Sequence, residues 1–138
     1  MSDTTTSAAL RCIVVTPEET VLECEAEFVV LPLFDGEVGI APLHSPMIGR
    51  LGFGELRIRS EDDTTRYYVD GGFVQVADNL VSVLTNRAIE SSKIDGEAAH
   101  EQLQEALETR ALGEEQMAAR NRSQLQARAQ LRIANRPR

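Results

Sequence analysis

The hydrophobic period of this chain changes once, near residue 90. Before that point, apolar and polar residues alternate in short runs separated by polar turns. The clearest run is Phe53-Gly54-Glu55-Leu56-Arg57-Ile58-Arg59, with Leu56 and Ile58 inward and Glu55, Arg57 and Arg59 outward. This is the period-2 pattern of a half-buried strand. Residues 10–15, 21–24, 28–31, 66–69, 73–77 and 80–84 also read as strands. Pro17 suits the second position of a turn, and Asp78-Asn79 forms another turn. Asp70-Gly71-Gly72 predicts a tight corner, because glycine tolerates positive φ. Strands of this length and spacing predict an all-β sandwich of about ten short strands around one aliphatic core.

Residues 35–46 interrupt the alternation. Gly36, Gly39, Pro42 and Pro46 exclude a regular helix or a long central strand here. Val38 and Ile40 still alternate with Glu37 and Gly39. The expectation is a turn, a short strand and a rigid exposed corner, the kind of loop that carries partner contacts.

Beyond Ala88 the spacing becomes helical. Ile94, Ala98, Leu103, Ala106 and Leu107 mark a first helix, with Asp95 as its N-cap. Gly96 costs that helix about 1 kcal/mol relative to Ala. Gly113 punctuates its end. A second helix is predicted over residues 114–135, with Pro137 closing the chain. It is built from strong helix formers, opens on Glu114-Glu115 and ends in arginines, matching the macrodipole at both ends. Its apolar stripe, Ala118, Leu125, Ala129 and Ile133, is thin. The prediction is an α-helical hairpin that forms readily and docks weakly. The chain therefore divides into a β-sandwich domain over residues 1–91 and a mobile two-helix domain over residues 92–138.

Composition sharpens this picture. The 138 residues include no tryptophan and only 4% aromatics, so the core is aliphatic. No apolar run approaches the roughly 18 residues needed to span a bilayer. Residues 1–9 are Ser-, Thr- and Ala-rich and read as loose, and the start of the chain lacks the basic residues of a secretory signal or presequence. The net charge of −8 is uneven: residues 1–92 carry −9, whereas residues 114–138 carry +4. The basic end reads either as a solvated helix surface or as an arm that meets an acidic partner. Nucleic acid is disfavoured because the rest of the molecule repels phosphate. Cys12 and Cys24 fit no metal spacing and are expected as reduced neighbours on adjacent strands. No nucleophile or metal constellation for catalysis stands out.

Five segments in order resemble the epsilon subunit family of the bacterial rotary ATP synthase. Asp35-Gly36-Glu37-Val38-Gly39-Ile40 is similar to its EGELGI, and Pro42-Leu43-His44-Ser45-Pro46-Met47 to its PGHAPL. Gly54-Glu55-Leu56-Arg57-Ile58 is similar to its G-x-[ILV]-[KR]-I. Val69-Asp70-Gly71-Gly72-Phe73-Val74-Gln75-Val76 matches VSGGFVEV, and Val81-Ser82-Val83-Leu84 matches VTVLAD. With the two-helix tail, the resemblance covers residues 10–134.

The resemblance implies a ten-stranded sandwich and a helical hairpin in the central stalk of a proton-translocating enzyme, peripheral to the cytoplasmic face of the inner membrane. The implied partners are the gamma subunit, the ring of c subunits and the alpha/beta catalytic head. The tail would lie folded on the sandwich or extend into the head, where it obstructs ATP hydrolysis more than synthesis. By the same resemblance Glu37 and His44 face the c ring, at the same end of the sandwich, and Arg128, Arg132 and Arg136 meet an acidic segment of the catalytic beta subunits. These three arginines step by four and so are expected on one helix face. Two positions depart from the family. Leu43 replaces the usual glycine, implying an altered corner. Ala98 replaces the arginine of the family's ATP motif in Ile94-Asp95-Gly96-Glu97-Ala98-Ala99, which implies no ATP site. No cofactor and no metal are expected. A different class, a free-standing sandwich adaptor that dimerises through its helices, also fits these parts, although the tail lacks strong a/d leucines.

Overall fold

The computed structural model describes residues 9–136, so the expectations for residues 1–8, Pro137 and Arg138 lie outside the described residues. Eight strands are followed by two helices: β1 (Leu10–Val15), β2 (Thr20–Ala26), β3 (Phe28–Leu33), β4 (Gly36–Ile40), β5 (Met47–Ser60), β6 (Asp63–Ala77), β7 (Leu80–Leu84) and β8 (Ala88–Glu90). A single 3-10 turn, Ser91–Lys93, leads to α1 (Gly96–Glu108) and α2 (Gly113–Ala134). The strands pair in the order β2-β1-β7-β6-β5-β3-β4, with β8 also on β6.

There are eight strands rather than ten because β5 and β6 are long and serve both layers. Their outer halves pair from Met47↔Val76 to Leu51↔Gly72, and their inner halves from Phe53↔Asp70 to Ser60↔Asp63. The bend between the halves falls at Gly71 (φ 73) and Gly72 (φ 112), where a corner was expected. The glycines thus bend one strand across the layers instead of ending it. Only glycine fits at Gly72: a Cβ there would strike the Leu84 carbonyl oxygen.

Between the layers lies the aliphatic core. Leu10, Val14, Val74, Val81 and Val83 from one layer meet Leu31, Ile40, Leu56, Ile58 and Val69 from the other. The local signals account for the turns. Pro17 and Glu18 span the mutual backbone bonds of Thr16 and Glu19. Asp78 (φ 52) and Asn79 (φ 61) form the hairpin tip with two left-handed residues, the geometry that matches strand twist. Cys12 and Cys24 are direct partners across β1 and β2, and both are free thiols. Burial pushes the Cys12 thiol from its ordinary 9.0 up to about 12.

The hairpin begins as its sequence predicts: the Asp95 carboxylate accepts from the Glu97 and Ala98 amides at 3.0 and 3.2 Å. Its buried residues match the expected stripe at Ala106, Ala129 and Ile133 and depart from it elsewhere. Ala99 and Ala106 of α1 and Ala127, Ala129, Gln130 and Ile133 of α2 are buried, whereas Ala98, Leu107, Ala118 and Leu125 are exposed. The buried face is made by alanines, Gln130 and Ile133, while the larger expected residues Leu107 and Leu125 face solvent. Among the described residues no helix is long and apolar enough to cross a membrane.

Candidate functional site

The outer face of the second layer is covered by the C-terminal half of α2. Phe53, Glu55 and Arg57 of β5 project there beside Asp70, Tyr68 and Arg66 of β6, their register partners. Tyr68, Ala129 and Ile133 form a small apolar cluster flanked by Phe53, Ile89 and Ile94. Around it lie two buried carboxylates. Asp70 accepts from the Tyr68 hydroxyl at 2.6 Å and from the Gln126 amide at 2.9 Å. Gln126 in turn accepts from Gln102 of α1 at 3.2 Å. Burial, reinforced by the hydrogen bond to Asp70, pushes the Tyr68 phenol well above its usual range.

Glu55 is 5% exposed. The alternation rule assigned it correctly to the outward face, but outward here means under the hairpin. One of its oxygens accepts from Ser91 at 2.8 Å. The other faces Arg66 at 3.5 Å, Arg57 at 3.6 Å and, beyond the end of α2, Arg136. The docked hairpin is therefore held by one buried isoleucine, a few alanines and polar ties that include Gln126 to Asp70, the buried Gln130 to Tyr68 and Arg136 to Glu55. Burying the Ile133 side chain contributes roughly 1.5–3 kcal/mol. Sequence reasoning missed Glu55, Tyr68 and Asp70. Aromatic residues at outward strand positions, Phe53 and Tyr68, were the signal that something covers this face.

Of the expected contact residues, Glu37 is exposed on β4 and paired with Arg57. With Arg132 and Arg136 it lines a small groove at the end of α2. His44 belongs to a different set of contacts. Its Nδ1–H donates to the Ser45 carbonyl at 2.7 Å. The neighbouring Leu43 has φ 68, and its amide donates to Asn79 Oδ1 at 2.6 Å. The corner thus keeps a glycine-type backbone in spite of the leucine. Arg128 and Arg132 are brought together in a cleft of about 820 Å³ between α2 and the sandwich, also lined by Phe34, Arg50, Asp70 and Leu125. Arg136 turns away from them to Glu55.

A second surface lies on the outer face of the first layer. Ile48, Phe73 and Leu84 are 77%, 60% and 52% exposed. Phe73 pairs directly with Leu84, and Ile48 is the register partner of Gln75 on the same strand as Phe73. Together with Leu80 they form an apolar strip across β5, β6 and β7. Among the described residues no group of His, Cys, Asp and Glu could hold a metal ion.

A bent two-layer sandwich with a helical hairpin packed on one face defines the class of β-sandwich proteins to which this chain belongs. The family model described as "ATP synthase, Delta/Epsilon chain, beta-sandwich domain" matches residues 9–91. An ATP synthase epsilon chain of Rhodopirellula baltica is 48% identical over 126 residues, covering 91% of this chain and 98% of the relative. The epsilon chain of Pelotomaculum thermopropionicum is 40% identical over 100 residues, 70% of this chain and 75% of the relative. The chain belongs to the ATP synthase epsilon chain family. The fold is shared with a chain of the Tetrahymena thermophila mitochondrial ATP synthase central stalk and c-ring structure, at TM-score 0.72 and 16% identity, covering 91% of this chain and 96% of that one. It is also shared with a chain of the Euglena gracilis mitochondrial OSCP/F1/c-ring structure, at TM-score 0.71 and 23% identity, covering 92% and 78%.

Proposed function

We propose that this chain is a non-catalytic rotor subunit of the central stalk, which couples proton flow to ATP synthesis and restrains ATP hydrolysis through its helical hairpin. The observation that carries this reading is the contrast between a continuous aliphatic core and a hairpin held by one buried isoleucine, small alanines and a few polar ties from Gln126, Gln130 and Arg136. Such a hairpin can leave without unfolding the sandwich. The exposed strip of Ile48, Phe73, Leu80 and Leu84 suits the gamma subunit, because an apolar patch rimmed by polar residues marks a protein contact. Glu37 and His44 remain the proposed contacts to the c ring.

In the docked position Arg136 is engaged by Glu55, and Arg128 and Arg132 line the cleft. Contact of the three arginines with an acidic segment of the beta subunits therefore belongs to the extended position. The proposed location is the cytoplasmic face of the inner membrane, reached through the complex. The test is ATP hydrolysis by the assembled enzyme with the full chain or with residues 1–92 only. Hydrolysis should rise with the truncated chain while the enzyme stays assembled. Lower hydrolysis from a fully assembled enzyme would refute the restraining role.

A further inference from the structure

Four charged side chains stand in line from the edge strand β4 to the end of α2. Arg57 donates from Nη1 to Glu37 Oε2 at 3.2 Å and from Nη2 to Glu37 Oε1 at 3.3 Å. The same Nη1 stands 3.6 Å from Glu55 Oε1. That oxygen also faces Arg66 at 3.5 Å and bonds Arg136. Ser91 occupies the other oxygen of Glu55.

One carboxylate oxygen offers about two lone-pair directions. Three guanidinium groups around Glu55 Oε1 therefore compete. Arg57 is kept from competing fully because Glu37 holds it in a two-point contact, the geometry a guanidinium prefers. Its ion pairs among the described residues are Glu37 and Glu55. Once Glu37 is neutralised or drawn away, Arg57 turns to Glu55. Arg57 and Arg66 lie on the sandwich itself, so among the described residues only Arg136 ties Glu55 to the hairpin's end. Arg136 is the group displaced.

We propose that Glu37 is a trigger for hairpin release. A cationic group of a partner that engages Glu37 frees Arg57, and Arg57 then weakens the hold of Glu55 on Arg136. Contact at the β4 edge and departure of the hairpin are linked through Arg57. The linkage is reciprocal, so a departed hairpin leaves Arg57 to Glu55 and makes Glu37 more available. The proposal rests on the stalk reading only for the partner's identity, a polar loop of the c ring.

Hydrogen exchange of the isolated full chain, followed by mass spectrometry, tests the relay without any partner. Glu37→Gln should speed exchange over residues 126–136 by roughly two- to fivefold, the range set by a partly exposed ion pair. Arg57→Leu should leave those amides as slow as in the unsubstituted chain or slower. The Glu37→Gln/Arg57→Leu chain should match Arg57→Leu alone. Amides of β1 should stay unchanged throughout, which shows the sandwich intact. An unchanged helix in Glu37→Gln, or a double variant as fast as Glu37→Gln, would overturn the relay. Neither result depends on gamma binding or hydrolysis, so the relay and the stalk reading fail separately.

Discussion

Ile133→Ala is the sharpest probe of how the hairpin is held. Ile133 is 3% exposed and packs in the cluster with Tyr68 and Ala129. The substitution removes three carbons, which at about 0.8 kcal/mol each lose about 2.4 kcal/mol of transfer free energy. This sits at the low end of measured Ile→Ala costs, as fits an interface that can open rather than keep a cavity. At 1.4 kcal/mol per tenfold, the docked state should lose about 50-fold in population against the undocked one. Native-state hydrogen exchange reads this directly. Amides of α1 and the C-terminal half of α2 should exchange about 50-fold faster, while those of β1 and β7 keep their rates. Leu125→Ala serves as the control, because Leu125 is more than half exposed and should change little. Equal acceleration of β1, β7 and the helices would show one cooperative unit and refute the reasoning. An unaffected α2 would refute it too.

Three further outcomes follow from the same geometry. Leu43→Gly should stabilise the chain by about 0.5–1 kcal/mol in urea unfolding, since φ 68 strains a leucine whose exposed side chain gives up little packing. Gly72→Ala should destabilise the sandwich by about 2 kcal/mol or more, read as a lower thermal midpoint, because a Cβ meets the Leu84 carbonyl at a left-handed φ. Stability should fall in alkali: the Cys12 thiol is raised from 9.0 to about 12, so its contribution is complete below pH 9 and is lost as pH rises toward 12. The raised Tyr68 phenol acts with the same sign from pH 10 upward. Cys12→Val should flatten the first part of this decline in denaturant titrations at pH 8 to 11; an unchanged slope would contradict it.

Most of the sandwich was legible in the sequence because each strand carries its own alternation and each turn its own chemistry. The turn at Pro17, the Asp78-Asn79 tip, the Asp95 cap and the facing cysteines all rest on local rules. The strand count was not legible: Gly71 and Gly72 permit either a reversal or a bend, and only long-range pairing of β5 with β6 selects the bend. The helix contacts were illegible for a related reason. A mostly polar helix is docked here by alanines, by Ile133 and by polar ties such as Gln126 and Arg136, whose partners Asp70 and Glu55 lie 56 and 81 positions away in the chain. Periodicity reports which face a residue occupies, not what covers that face. Three of the five ordered motifs fall on the edge strand, the corner and the bend, where local backbone demands restrict the choice of residue, and the other two lie within β5 and β7.

The most direct measurement is sedimentation of this chain with the gamma subunit of the same enzyme. The account predicts a one-to-one complex that survives deletion of residues 93–138 and is lost in Phe73→Glu/Leu84→Glu. A chain that sediments alone beside gamma, or a complex indifferent to charge on that strip, would contradict it.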